Sequence, residues 1–131
     1  MSGKSALQPC ILVVEDEFLI RLTLVESLSD EGFEVLEADT GDAALPILQS
    51  NPAICLLLTD IQLPGSLNGH ALAAKARESL PDLPVIFMTG RLETGDGTQP
   101  PARNVFITKP YTLTDICEAA KRLTATERGV V

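Results

Sequence analysis

Residues 54–59 read Ile-Cys-Leu-Leu-Leu-Thr, and Asp60 follows them directly. An apolar run of this length is typical of a strand that is buried on both faces of a parallel sheet. Open α/β sheets place their ligands at the carboxyl ends of such strands. At that position Asp60 is a candidate nucleophile, metal ligand or helix cap.

Three other β-like runs end in polar residues of the same kind. Residues 11–14 lead into Glu15 and Asp16, residues 85–88 into Thr89, and residues 105–108 into Lys109. Because the carboxyl ends of parallel strands meet at one edge of a sheet, we expect all these side chains to gather around Asp60.

The chain alternates β-like runs with helical patterns, which predicts an α/β fold with helices on both sides of a parallel sheet. The predicted strands are residues 11–15, 33–38, 54–59, 85–88 and 104–108. The predicted helices are residues 17–29, 40–49, a segment from the loop at 63–69 to about 80, and a last helix from Thr112.

Several details within these elements are predicted as well. The apolar stripe of the first helix is Phe18, Leu22, Val25 and Leu28, and Phe18, Phe33 and Phe87 are expected in the core. Pro46 lacks the donor that a helix interior needs, so the second helix is expected to begin late or to kink. Asp115 lies three residues after Thr112, the spacing of a capping box.

The segment from Gly90 to Arg103 interrupts the alternation. It contains three glycines and two prolines and has almost no apolar periodicity. A helix is expected between the fourth and fifth strands, and this composition predicts that it is short or disordered.

Length and composition restrict the class of protein. The 131 residues suit a single domain, without a signal peptide or a tract long enough to span a membrane, which favours a cytoplasmic protein. The net charge of −8 disfavours binding to nucleic acid or to anionic lipid. Cys10, Cys55 and Cys117 are interpreted as reduced core thiols.

The residues at the four strand ends form a coherent chemical set. Carboxylates that are held together repel one another, and a divalent cation relieves that repulsion. An all-oxygen site that is open to solvent suits Mg²⁺. Asp60 could then attack a phosphoryl group, while Lys109 and Thr89 offer a charge and a hydroxyl to its oxygens. The set predicts a site that makes and holds an aspartyl phosphate.

Four motifs in this order and spacing, ILVVEDE, LLLTDIQLPG, VIFMTG and FITKPY, resemble the receiver domain of two-component response regulators, the CheY-like superfamily. The resemblance covers residues 10–126 and leaves 1–9 and 127–131 as a flexible N-terminus and tail. It implies a doubly wound, flavodoxin-like sheet of order 2-1-3-4-5, with the first and last helices on one face and the second and third on the other.

The resemblance also assigns roles to single residues. It implies that Asp60 is the phosphoacceptor, that Thr89 and Lys109 bind the phosphoryl group, and that a cis bond joins Lys109 to Pro110. The Mg²⁺ ligands would be Asp16, Asp60 and the backbone carbonyl of Gln62, with Glu15 in the outer shell. Phe106 falls at the position of the switch aromatic, where the family often has tyrosine.

The partners implied by the resemblance are a sensor histidine kinase as phosphodonor and an effector protein, kinase or phosphotransferase that reads the signal in trans. Such a domain is not a conventional enzyme, although it assists its own aspartyl phosphorylation and dephosphorylation. The residues around Phe87 and Thr89 and the glycine-rich segment after them resemble an alphaproteobacterial subgroup with a reduced fourth helix. In the family, the positions of Gln62 and Arg91 influence how long the phosphate lasts.

Other interpretations are less favoured. A flavodoxin-like cofactor binder needs a phosphate-cradling loop after the first strand, where this chain has three acids. An aspartyl-phosphate phosphatase needs a carboxylate where Gln62 stands. A receiver-shaped interaction module that acts largely without phosphate stays open. Glu17 and His70 are interpreted as a first-turn helix residue and a solvated surface residue, and Tyr111 as facing a partner.

Overall fold

The computed structural model describes residues 8–90 and 103–125, which form one five-stranded parallel sheet of order β2-β1-β3-β4-β5. The predicted order is therefore confirmed. In chain order the elements are β1 (Cys10–Val14), α1 (Phe18–Asp30), β2 (Glu34–Ala38), α2 (Gly41–Ser50), β3 (Ile54–Asp60), α3 (Gly69–Ser79), β4 (Val85–Thr89), β5 (Asn104–Thr108) and α4 (Leu113–Ala125).

The central strand β3 is buried on both faces, as its sequence predicts. Leu57 belongs to the apolar layer that α2 and α3 complete, and Leu58 to the layer that α1 and α4 complete. Both side chains are fully buried. The predicted placement of the helices, first and last on one face and the middle two on the other, is confirmed for the helices described.

The predicted apolar stripe of α1 is wrong at two positions. Phe18 and Leu22 are exposed, and the helix instead buries Leu24 and Leu28 against the sheet. Phe33 and Phe87 are core residues, as expected. The first half of α1 is apolar on nearly every side, so its periodicity does not define which side faces the sheet.

Of the two effects expected of Pro46, a late start of α2 is wrong, and a kink stays a prediction. The helix begins at Gly41 rather than late, and Pro46 lies inside it. Thr40 caps it, since its Oγ1 accepts the Ala43 N–H at 2.9 Å. Pro46 has no N–H to offer the carbonyl of Asp42 four residues earlier.

The starts of α3 and α4 follow the usual rule that a polar side chain accepts an early N–H, whereas Glu17 makes no such hydrogen bond at the start of α1. Asn68 Oδ1 accepts the Ala71 N–H at 2.8 Å at the start of α3. Thr112 Oγ1 accepts the Asp115 N–H at 3.0 Å, so the predicted cap of the last helix is confirmed.

Three sequence predictions fall wholly or partly outside the described residues: the reduced helix in 91–102, the flexible N-terminus and the flexible tail. Cys10 and Cys117 are buried, as expected of core thiols, whereas Cys55 is only partly buried, and none of the three forms a disulfide. Among residues 8–90 and 103–125, no helix combines the length and apolar character that crossing a membrane requires.

Candidate functional site

The carboxyl edge of the sheet carries an acidic cleft of about 580 Å³. All the predicted phosphoryl and metal residues line it, and only Phe106 of the predicted set lies elsewhere. The lining residues are Glu15, Asp16, Glu17, Asp60, Ile61, Gln62, Met88, Thr89, Gly90 and Lys109. Four separate strand ends thus supply one site.

Asp60 forms an ion pair with Lys109. The carboxylate is buried at the end of β3, and the Lys109 Nζ lies 2.7 Å from its Oδ1. The backbone of this lysine is held to β4, because its N–H donates to the Thr89 carbonyl at 2.7 Å. The peptide bond between Lys109 and Pro110 is cis, as predicted. The pair places a cation beside the candidate nucleophile.

Lys109 stays charged at neutral pH. Partial burial acts to lower the pKa of its ammonium group, but the hydrogen bond to Asp60 and the negative charges of Asp60, Glu15 and Glu17 outweigh burial and raise that pKa. A permanent positive charge at this position suits an anionic ligand such as a phosphoryl group.

Glu15 is the most confined acid of the cleft. Its side chain is 1% exposed, its Oε2 accepts the Glu17 N–H at 3.0 Å, and its Oε1 meets no donor among the described residues. Burial is the largest cause that raises the pKa of Glu15 to about 7, and the hydrogen bond that the protonated group makes with Asp60 adds to it. In the ionised form, Oε1 therefore has no hydrogen-bond donor among the described residues.

The three carboxylates fit a hard divalent cation. Glu15, Asp16 and Asp60 each offer an oxygen, and these oxygens lie within 4.8 Å of one another. Asp16 is exposed, so the cluster opens to solvent, and Gln62 lies at its rim. Magnesium binds through a few carboxylate and carbonyl oxygens and keeps several waters, which matches this donor set.

Thr89 ends β4 next to Asp60. It is buried, and its strand is paired with β3 so that Asp60 lies opposite Met88. Its carbonyl accepts the Lys109 N–H, as described above, so a backbone hydrogen bond joins the ends of β4 and β5 at the cleft. The position predicted for the phosphoryl-binding hydroxyl is therefore on the cleft wall.

Arg21 was missed by the sequence analysis. Its Nη1 donates to the Glu15 carbonyl at 2.8 Å, and its Nε donates to Glu37 Oε1 at 2.8 Å. The arginine thereby ties the acidic loop after β1 to the end of β2. Its position one helical turn after Glu17 was the only available signal, and Glu37 is not a neighbour in sequence.

His70 is a surface residue, as expected, whereas Glu17 departs from its predicted position. His70 is exposed, yet its ring centroid lies 4.9 Å from that of Phe87 and 6.2 Å from that of Phe106. Phe106 is half-buried and stacks on Phe87, with centroids 5.0 Å apart. Glu17 precedes α1 as its N-cap residue rather than lying in its first turn.

Tyr111 is half-buried beside α1. It packs at the edge of the apolar layer under α1 and α4 and borders a smaller cleft together with Leu19 and Leu113. Burial, together with the charges of Glu15 and Asp60, raises the pKa of Tyr111 to about 12, so its hydroxyl stays protonated. Its expected contact with a partner stays a prediction.

The chain is similar to known proteins over most of its length. Residues 11–121 match the family model described as response regulator receiver domain. The response regulator receiver protein CpdR of Brucella abortus is 34% identical over 115 residues, which are 86% of this chain and 94% of that protein. The chain spans about half or less of the other curated relatives compared.

Solved structures give the same fold. A response regulator receiver protein from Sinorhizobium medicae superposes with a TM-score of 0.81 at 28% identity and covers 90% of this chain and 95% of its own. The response regulator TrrA from Thermotoga maritima, crystallised with Mg²⁺ and BeF, superposes with a TM-score of 0.75 at 30% identity and covers 88% and 99%.

Proposed function

The chain belongs to the response regulator receiver domain family, and on this premise we propose that it is a single-domain phosphoryl acceptor of a two-component system. Receiver domains are signalling domains rather than conventional enzymes. In the proposed reaction, Asp60 takes a phosphoryl group from a sensor histidine kinase in a Mg²⁺-dependent step. The phosphorylated form then acts on a partner in trans, in the cytoplasm.

The observation that carries the proposal is the composition of the cleft around Asp60. A buried carboxylate pairs with Lys109 at 2.7 Å, two more carboxylates lie within 4.8 Å, and Thr89 lies on the wall. A phosphoryl acceptor needs a nucleophile, a cation for the incoming charge and a polar contact for the phosphoryl oxygens. The cleft offers each of them once.

The residues that would hold Mg²⁺ are Asp16, Asp60 and the backbone carbonyl of Gln62, with Glu15 in the outer shell. When bound, the cation neutralises the carboxylates and the charge of the incoming phosphoryl oxygens. The buried Glu15 Oε1, which meets no donor among the described residues, supports this assignment. A carboxylate in that state is costly unless a cation or a proton compensates it.

The transfer itself is a substitution at phosphorus. An Asp60 oxygen forms the new O–P bond while the bond from phosphorus to the donor's imidazole nitrogen breaks, and that nitrogen keeps the electron pair. Lys109 is paired with Asp60 beforehand and can follow the negative charge onto the phosphoryl oxygens, where Thr89 adds a hydroxyl. The same groups would serve hydrolysis, in which water attacks the phosphorus, the O–P bond to Asp60 breaks with its electron pair left on the carboxylate, and inorganic phosphate is released.

A protein partner as phosphodonor fits the surface beside the cleft. Phe18 and Leu19 are 60% and 71% exposed, and they follow the cleft residue Glu17 directly. Large apolar side chains that are exposed in a row next to a reactive site indicate a protein contact. We propose that the histidine kinase covers this part of α1 during transfer.

The proposed output surface lies on another part of the molecule. It consists of β5, α4 and the segment before β5, most of which falls in the undescribed residues 91–102. Phe106 is its candidate switch residue, since it lies on β5 two residues before Thr108 and stacks on Phe87. A phenylalanine there has no hydroxyl, so an inward and an outward position of its ring would differ only in packing.

CpdR of Brucella abortus, matched over 94% of its length, supports a single-domain regulator that acts in trans.

Intact-mass measurement after incubation with acetyl phosphate and Mg²⁺ tests the proposal. We expect one adduct of about 80 Da, the mass of a phosphoryl group, which disappears in Asp60→Asn and when EDTA replaces Mg²⁺. Asp82→Asn, an exposed acid outside the cleft, is the matched control and should retain the adduct. An adduct that persists in Asp60→Asn would refute the role of Asp60. No adduct on the wild-type protein, from acetyl phosphate or from a phosphorylated kinase, would favour the phosphate-independent module.

A further inference from the structure

The loop between β3 and α3 is tied to the first turn of α2 by one carboxylate. Asp42 Oδ1 accepts the Leu67 N–H at 3.1 Å, and both of its oxygens accept the Ser66 hydroxyl, at 3.0 and 2.9 Å. The Ser66 N–H is 3.4 Å from Oδ2. The Ser66 hydroxyl is the largest of the contacts that lower the pKa of Asp42, so the carboxylate stays ionised at neutral pH.

This tie closes the segment that directly follows the phosphoacceptor. At its base, the Gly69 N–H donates to the Ile61 carbonyl at 2.7 Å, and the Ile61 N–H donates to the Met88 carbonyl at 3.1 Å. At its far side, Asp42 holds Ser66 and Leu67. Gln62, the residue proposed to offer a carbonyl to the metal, lies between these two anchors and lines the cleft.

The loop and α2 approach each other closely at Gly41. A Cβ on Gly41 would lie 2.6 Å from the Leu67 carbonyl oxygen. Gly65 has a φ of +92°, a conformation that L side chains rarely adopt, and its Cα faces the Asp42 carboxylate. Two glycines thus permit the approach, and Asp42 supplies the hydrogen bonds that hold it.

We propose that Asp42 is a positioning residue of the Asp60 site, which holds the loop 61–69 so that Gln62 and Asp60 keep the arrangement that metal binding and phosphoryl transfer require. The inference rests on the proposed function. Asp42 does not line the cleft, so it acts through Ser66 and Leu67 rather than by touching the ligand. Loss of the tie lets residues 62–66 sample other conformations, and the ordering of the Gln62 carbonyl then has to be supplied by the metal.

The test compares Asp42→Ala and Ser66→Ala with the wild-type protein. Mg²⁺ affinity is measured by calorimetry, and the rate of adduct formation from acetyl phosphate is followed across Mg²⁺ concentrations. We expect Asp42→Ala to weaken Mg²⁺ binding by roughly 3- to 10-fold, at or below the usual effect of an outer-shell residue, and saturating Mg²⁺ to restore most of the rate. Asp42→Asn and Ser66→Ala keep part of the tie and should give smaller effects.

Asp39→Asn is the matched control, because it removes one negative charge from an exposed acid at the end of β2, on the same edge of the sheet. It should leave both readouts unchanged. A lower melting temperature in Asp42→Ala with unchanged Mg²⁺ affinity and rate would show a purely structural cap and overturn the inference. If Asp42→Ala does not fold, Ser66→Ala decides: an unchanged affinity in that variant also overturns it.

Failure of the proposed function gives a different result. In that case the wild-type protein itself forms no adduct with acetyl phosphate, and the inference falls together with the function. The other possible failure concerns Asp42 alone. If the wild-type and Asp42→Ala proteins both form the adduct and bind Mg²⁺ with equal affinity, the proposed function stands and only the role of Asp42 is removed.

Discussion

Glu15 shows, at the scale of a single residue, how a functional requirement opposes stability. Its carboxyl group is buried beside Asp60, and one of its oxygens meets no donor among the described residues. A buried carboxylate in this position costs free energy, which a proton or a cation recovers. The raised pKa, about 7, expresses the same cost, because it means that the folded protein prefers the neutral acid.

We predict that Glu15→Gln stabilises the metal-free protein by about 1–3 kcal/mol at pH 8. Between the ordinary pKa of 4.5 and the folded value of about 7, the folded wild-type protein binds more protons than the unfolded chain, so its stability falls as pH rises. The variant has no carboxyl group at position 15, so its stability does not carry this pH dependence. Its advantage should therefore be small near pH 4.5, grow through pH 7 and then level off. Urea unfolding in EDTA at pH 4.5–8 measures this difference.

Glu26→Gln, on the exposed side of α1, is the control for the loss of one negative charge. It should change the free energy of unfolding by less than about 0.5 kcal/mol at each pH. A Glu15→Gln protein that is less stable than wild type at pH 8 would mean that the ionised carboxylate has a compensating partner.

At the scale of secondary-structure elements, the sequence predicts the strands better than the helix faces. A strand covered by helices on both sides must be apolar along its covered length, and β3 is apolar at each of its first five positions, 54–58. The same reasoning brought the acids after β1, Asp60, Thr89 and Lys109 to one edge, because each lies at the end of a strand or just after it. Gln62 and Phe106 were predicted only from the family resemblance. The buried face of α1 was predicted less well. Its apolar residues lie on nearly every side of the helix, among them Leu19, Ile20, Leu22 and Leu24. Which side is buried therefore depends on packing against the sheet and α4.

Arg21 and Asp42 escaped prediction for a related reason. Each acts through hydrogen bonds to residues distant in sequence, Arg21 to Glu37 and Asp42 to Ser66 and Leu67. On a helix, an isolated charged residue is most simply interpreted as solvated surface or as a partner of the macrodipole. Only the folded arrangement of α1, α2 and the loops reveals their contacts.

The junction of β3 and α3 supplies a prediction at the same scale. A Cβ on Gly69 would lie 2.3 Å from the Asp60 carbonyl oxygen and 2.9 Å from the Ile61 Cα, and both are backbone atoms that cannot rotate away. We expect Gly69→Ala to reduce stability by about 1–3 kcal/mol and to slow adduct formation at Asp60, because the strand end must shift. Urea unfolding and intact mass against time measure the two effects.

Gly90→Ala is the stability control for this substitution. A Cβ at Gly90 meets nothing within 4 Å among the described residues, so its urea midpoint should stay close to that of wild type. Equal losses in the two variants would indicate a general effect of removing glycine rather than a clash at Asp60.

At the scale of the whole molecule, two apolar layers of the sheet hold a charged edge together. The chain carries a net charge of −8, and three of its acids converge within 4.8 Å at one end of the sheet. The strands can bring these acids together only because Leu57, Leu58 and their neighbours are buried on both faces. Stability gained in the core is thus partly offset by repulsion at the edge, and a ligand that removes the repulsion must stabilise the entire fold.

This coupling predicts that Mg²⁺ raises the free energy of unfolding of the wild-type protein, by about 2.7 kcal/mol when its concentration is 100 times its dissociation constant. The unfolded chain does not keep Glu15, Asp16 and Asp60 close together, so it gains far less from the cation. Asp16→Asn should lose most of this stabilisation, because Asp16 is a proposed Mg²⁺ ligand and one of the three clustered acids. Asp82→Asn, which lies outside the cleft, should retain it. Thermal unfolding over a series of Mg²⁺ concentrations measures the shift. Equal stabilisation of all three proteins would mean that Mg²⁺ only screens the net charge, and would place its binding outside the Asp60 cleft.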